Sequence, residues 1–348
     1  MTIRRGIVSL FALSALLPVT AQACATCGCS LSSDAATGYT SEPGWRLDLL
    51  FNYIDQSQLR SGGSAISAPQ VALINNNGGT QEVEHDTVNR YLTLGLTYSQ
   101  SEEWNFNLQV PWVDRSHSTY ANATTDQLTP ANLSGAAFGD FGDIRVIANY
   151  QGLLENNHLG VQFGVKLPTG RYGGQNVVTG ATVGRDPVFF SSGPNAAAGQ
   201  TIDTSLQPGT GSTDVIAGAY YYQAVSQDFD AFINGRFEVS TLQMLDGVNA
   251  NYRPGNTTTV SFGLRYENTP EWVPQVQVNI SHKSADQGAL ADTTDTAGTV
   301  AYLSPGVTVR LGAGILAYGF LQVPVYSALS GYQLFPRWTA SAGVSYAF

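Results

Sequence analysis

Trp338-Thr339-Ala340-Ser341-Ala342-Gly343-Val344-Ser345-Tyr346-Ala347-Phe348 closes the sequence on a strict two-residue alternation. Trp338, Ala340, Ala342, Val344, Tyr346 and Phe348 share one face, and Thr339, Ser341, Gly343, Ser345 and Ala347 share the other. Period two is the strand signature. An apolar face backed by small and polar residues suits a closed sheet in lipid, where every backbone group must be paired within the wall.

Eleven further segments carry the same alternation. They begin with Trp45 to Tyr53, Leu92 to Tyr98, Trp104 to Trp112, Asp143 to Tyr150 and Leu159 to Leu167. Residues 213–223 follow with a noisier pattern, then Phe229 to Val239, Val260 to Glu267, Trp272 to Ser281, 299–311 and 315–326. With the closing segment, taken as 337–348, they predict twelve strands, an even number as in single-chain bacterial barrels. Links at 100–103, 152–157, 225–228, 268–271 and 311–315 are short. Those at 60–87, 117–138, 170–212, 241–257, 284–298 and 327–336 are longer and rich in Gly, Asn, Thr, Ala and Asp. Tight turns at one rim and long loops at the other place both ends of the barrel on the periplasmic side. The insertion 170–212 has room to fold into the lumen, but its composition does not require it. The fold expected is all-β: a transmembrane antiparallel up-and-down barrel.

A soluble twelve-stranded sandwich would also alternate, but it would turn charged residues to water. Here only 12% of residues are charged, and all five tryptophans, Trp45, Trp104, Trp112, Trp272 and Trp338, fall on the outward parity near strand ends. Interfacial aromatic belts explain that placement. The net charge of -10, with no basic stripe, argues against a nucleic-acid partner.

Arg4 and Arg5 precede an apolar run, Ile7 to Val19, and then Ala21-Gln22-Ala23. This is the pattern of a secretory leader over 1–23. Cleavage there would leave Cys24 first; lipidation of Cys24 is the alternative, although Ala21 stands where lipoprotein leaders usually carry Leu. Residues 24–44 then read as a polar periplasmic arm and 45–348 as one barrel domain. The arm holds Cys24, Cys27 and Cys29, the whole cysteine content of the chain. Thiolates at that spacing fit Cu(I) or Zn(II), a dithiol pair, or a plain Cys24–Cys27 disulfide. With no histidine or fourth cysteine nearby, a complete structural zinc site is not supported.

The inward parity collects ionisable residues of both signs: Arg46, Asp48, Asp143, Arg145, Lys166, Asp230, Arg236, Glu238, Arg265 and Glu267, with Arg310 beside them. In a water-filled lumen these set a transverse field that filters solutes. In a packed lumen they would brace the interior as ion pairs. No catalytic residues are expected. His85, His117, His158 and His282 are the only histidines, and His282 has no serine opposite it on the same face. The loop acids Asp286, Asp292 and Asp295 do not match an EF-hand spacing.

Several segments resemble a broad family of porin-like outer-membrane proteins allied to the transporters attached to the phenol meta-degradation pathway. They are Gly139-Asp140-Phe141-Gly142-Asp143, Lys166-Leu167-Pro168-Thr169-Gly170, Gln207-Pro208-Gly209-Thr210-Gly211-Ser212, and Gln322-Val323-Pro324-Val325-Tyr326 followed by Gly331-Tyr332-Gln333-Leu334. The ending Tyr346-Ala347-Phe348 resembles the signal by which bacterial barrels are recognised by the barrel assembly machinery. The resemblance implies a barrel in the bacterial outer membrane and says little about cargo. The expected function is a non-enzymatic channel or transporter for small solutes, surrounded by outer-membrane lipid. The alternatives are a structural barrel anchoring a periplasmic protein partner through 24–44, and a metal- or redox-responsive barrel using the cysteines.

Overall fold

The computed structural model describes residues 42–269 and 271–348. The leader 1–23 and the cysteines Cys24, Cys27 and Cys29 lie outside the described residues, as does all but the last part of the 24–44 arm.

The wall is built from β1 (Gly44–Gly62), β2 (Glu84–Ser99), β3 (Trp104–Thr119), β4 (Ser134–Phe141), β5 (Ile144–Tyr150) and β6 (Leu159–Leu167). It continues through β7 (Ser212–Ala224), β8 (Phe229–Gln243), β9 (Thr257–Tyr266), β10 (Trp272–Lys283), β11 (Gly298–Gly312) and β12 (Ile315–Ala347). All pairings are antiparallel and join sequence neighbours, except that β3 pairs with both β4 and β5 and that β12 returns to pair with β1. Eleven strands close the barrel, and β4 pairs with β3 outside that path.

β12 is 33 residues long. Fully extended it would reach about 110 Å, several times the height of a barrel's lipid-facing band of about 25 Å. Its first half pairs with β11, up to Leu329 opposite Gly298. Its second half pairs with β1, down to Ala347 opposite Arg46. The chain reverses near Gly331, whose φ of 54° is the left-handed conformation that glycine adopts without steric cost. The last residues come back beside the start of β12, where the Ala347 amide donates to the Gly314 carbonyl at 2.9 Å. With β4 and β5 stacked as one stave, the chain crosses the wall twelve times.

The alternation seen in the sequence becomes a physical one. Leu47 and Leu49 are 40% and 44% exposed, while Asp48 and Leu50 between and after them are 3% and 8% exposed. The closing segment obeys the same rule: Trp338, Val344 and Tyr346 face outward, and Thr339, Ser341 and Ser345 are buried inside. All five tryptophans are exposed on the outer face. Trp104 and Trp112 stand eight residues apart on β3, about 27 Å along a strand and about 20 Å along the axis of a tilted one, close to the apolar height of an outer-membrane barrel. Trp45 stacks against Tyr98, and Trp104 against Tyr150, at one girdle; Trp112 meets Phe141 and Trp338 meets Tyr53 at the other.

Three expected links are corrected. The links 60–87 and 117–138 shrink to 63–83 and 120–133, because β1, β2 and β3 continue beyond the girdle as a rim. Within 327–336 the wall runs on to a tight reversal, with no separate loop. Above the girdle both strand faces meet water or in-folded chain, so the apolar alternation that marks a strand in lipid is no longer needed.

Candidate functional site

The lumen holds a cavity of about 390 Å³ walled by strands from around the barrel and capped by inward-folded segments of the long loops, including Gln207, Pro208, Pro254 and Gly255. Its ionisable wall residues are Asp48, Arg115, Asp143, Arg145, Lys166, Asp214, Arg236, Glu238 and Lys283.

Three motifs separated in sequence meet at Asp143, in the notch between β4 and β5. One carboxylate oxygen accepts from the Gly170 amide at 3.0 Å. The other accepts from the Thr210 amide and the Thr210 hydroxyl, each at 2.9 Å. Gly209 and Gly170 touch so closely that a Cβ on Gly170 would lie 2.9 Å from Gly209 Cα, and one on Gly209 would lie 2.5 Å from Asp143 Oδ1. Glycine is needed at both positions for the backbones to approach. The loop from Pro168 to Gly211 is thus latched into the lumen. Its inner part is further held by a cluster of Val188, Ile202 and Leu206 against Ala136 of β4.

Below the latch runs a charged belt. Lys166 Nζ pairs with Asp214, lies 3.9 Å from both Asp143 and Glu238, and donates to Thr210 Oγ1 at 2.8 Å. Arg145 reaches Glu238 with two nitrogens, at 3.1 and 3.4 Å. Ser212 Oγ donates to Asp214 at 2.6 Å. Arg236 lines the same cavity.

The ten expected lumen charges therefore divide into tiers. Asp143, Arg145, Lys166, Arg236 and Glu238 form the belt, and Asp48 lines the cavity while paired with Arg46 at 3.0 Å. Arg265 and Glu267, paired at 2.7 Å, lie with Asp230 toward the tight-turn end and do not line the cavity. Sequence reasoning passed over Asp214, Arg115 and Thr210. Asp214 lies in the noisy segment before the tyrosines. Arg115 lies on the part of β3 beyond Trp112, where no strand was expected. Thr210 was quoted only as part of a motif.

His282 Nδ1 lies 3.0 Å from its cross-strand neighbour Thr299 Oγ1. A serine–histidine contact does occur elsewhere: His85 Nδ1 is 3.1 Å from Ser118 Oγ on the outer rim. There the nearby Asp86 carboxyl bonds the serine hydroxyl, whereas a catalytic triad needs it on the histidine.

At the long-loop mouth, α1 (Ala68–Asn76) packs inside the rim through Val71 and Ala72 on Leu59, Val83 and Leu334. Glu82, just after this insertion, faces Asp203 of the latched loop. Burial, then Asp203 and Glu84, push the Glu82 carboxyl well above its ordinary value. Asp203 is exposed at its surface but enclosed by surrounding protein, and that enclosure, then Asp292, likewise raises its carboxyl. The ionised forms are disfavoured in this arrangement, so the contact is intact at acid pH and weakens as pH rises through the raised values. The loop around Asp203 is therefore expected to be freer at alkaline than at acid pH. Limited proteolysis of the folded protein across that range should show a smaller difference in Glu82→Gln, and an unchanged difference would show that this contact does not hold the loop.

An apolar belt with aromatic girdles, a closed antiparallel wall and a polar lumen define the class: this is a transmembrane β-barrel of the kind found in the bacterial outer membrane. Among solved structures it is similar to an outer-membrane channel from Pseudomonas putida F1, at 13% identity over 90% of this chain and 98% of that one, with a TM-score of 0.60. More distant are the NanC porin, at 10% identity over 87% and 100% of the two chains with a TM-score of 0.44, and a deletion mutant of the TodX monoaromatic hydrocarbon channel, at 9% identity over 88% and 91% with a TM-score of 0.43. No family model and no curated protein matches the chain. At such identities the likeness is one of fold.

Proposed function

We propose that this barrel is a non-enzymatic channel for small solutes, narrowed by its own long loop. The observation that carries the reading is the cavity of about 390 Å³ in the barrel's interior, with ionised side chains on its wall. A barrel serving only as an anchor has no need to keep water and charge along its axis, since apolar or amide packing would fill it at less desolvation cost. Part of this interior is in fact filled that way: Gln275 donates to Thr308 at 2.8 Å and Asn279 to Ser304 at 2.9 Å. The cavity is where that packing stops. The volume suits a solute of modest size, at the lower end of ordinary ligand pockets.

Purified full-length protein inserted into a planar bilayer is expected to give discrete single-channel steps of low conductance. A chain that inserts and produces no steps at any voltage or pH tested would overturn the channel reading.

A further inference from the structure

The carboxylates of the cavity wall are all engaged, whereas two of its guanidinium groups form no ion pair among the described residues. Asp143 is saturated by the latch, Asp214 by Lys166 and Ser212, Glu238 by Arg145, and Asp48 by Arg46. Lys283 is neutralised by Asp286 at 2.6 Å. Arg115 is buried, yet its partners are the neutral Asn89 side chain, the Leu206 carbonyl and the Tyr91 hydroxyl. Arg236 makes no hydrogen bond and no ion pair among the described residues; Glu238, the acid whose charge acts on it, is already gripped by Arg145. Asp143 in turn meets only neutral latch donors and the shared Lys166, so the wall's five cations and four carboxylates leave a net charge of +1, Arg46 and Asp286 outside it cancelling each other, in a chain whose net charge is -10.

We infer that the cavity selects small organic anions, with Arg236 as the group that meets the solute's carboxylate. This rests on the channel reading above. A guanidinium whose donor fork is free matches a carboxylate with two parallel hydrogen bonds. The same cavity presents apolar surface from Leu50, Ile54, Val113 and Ile147, with Tyr91 and Pro208 beside them. An anionic head on a short aliphatic or aromatic body fits both kinds of wall, and inorganic anions fit only one. The acidic groups at the mouth, Glu82, Asp203, Asp292 and Asp295, stand outside this cavity and do not line it.

The test is the reversal potential of the full-length channel under a KCl gradient, followed by titration of benzoate into the chloride current. The wild-type channel is expected to prefer chloride to potassium, and benzoate is expected to reduce the chloride current. Arg236→Gln should lower the chloride-to-potassium permeability ratio by about tenfold, about threefold on each ion, as expected for one unit charge acting across about 6 Å of water. Arg236→Lys should keep most of that ratio but lose much of the benzoate block, because an ammonium keeps the charge and not the fork. Replacement of a side chain that bonds to nothing in the protein leaves the wall intact, and single-channel steps from each variant confirm that it has folded. A channel that conducts but prefers potassium, or a ratio unmoved in Arg236→Gln, overturns the anion inference and leaves the channel reading standing. Block equal in both variants and wild type overturns the carboxylate assignment. Absence of any pore overturns both readings.

Discussion

On the proposed channel reading, Asp143→Asn is expected to widen the pore, with single-channel conductance rising several-fold. The side chain uses both oxygens, one toward the Gly170 amide and one toward Thr210. Asparagine offers one acceptor and one donor, so whichever way it turns it sets an N–H against an amide N–H. With its oxygen toward Thr210, asparagine loses the Gly170 bond and leaves the other two neutral; at about 1.5–3 kcal/mol for a bond to a charged group against about 0.5–1.5 for a neutral one, roughly 3.5–6 kcal/mol leaves the in-folded position of the loop. A shift of about 5.5 kcal/mol carries a two-state equilibrium from 99:1 to 1:99, so the loss is of the size needed to release the latch. The apolar contacts of Val188, Ile202 and Leu206 with Ala136 remain and oppose release. Gly209→Ala attacks the same latch sterically, without altering any charge of the belt, through the contact its Cβ would make with Asp143. Both variants should therefore raise conductance, and the alanine variant should do so with the ion preference unchanged. Wild-type conductance in both would mean that the loop does not limit the pore.

What could be read from the sequence follows what lipid enforces. Between Trp104 and Trp112 the outer residues must be apolar because nothing else is stable against hydrocarbon, and so the wall, its parity and the inward charges at 143, 145, 166, 236 and 238 were legible. Beyond Trp112 that pressure ends. Val113, Asp114, Arg115, Ser116 and His117 show no greasy face, although they continue the same strand, and Arg115 on the cavity wall was lost with it. The latch was invisible for another reason. Its three motifs were each recognisable, yet the contact between Asp143 and Thr210 spans 67 residues. It depends on a loop whose glycines and alanines carry no periodicity. A carboxylate beside a glycine-rich turn in sequence does not reveal which distant amides it will hold.

Leu49→Arg is expected to destabilise the folded barrel in lipid by about 2–4 kcal/mol, the cost of placing arginine at the midplane of a barrel's outer face. Leu49 faces outward four residues beyond Trp45 and four before Tyr53, which stacks on Trp338 at the opposite girdle. It thus sits at the middle of the apolar band. The same substitution at Leu311, 64% exposed at the tight turn that ends β11, should cost only about 0–1 kcal/mol, because its guanidinium reaches the headgroup region. The comparison discriminates between solvents. If the outer leucines faced a protein partner or a second sheet, the two sites would be ranked by packing, and a leucine in a polar interface would tolerate arginine nearly as well as the rim does. If they face hydrocarbon, the cost must follow depth. Denaturant titration of folding into vesicles reads both variants on one scale. Equal stabilities for the two would contradict a lipid-facing wall, whatever the fold.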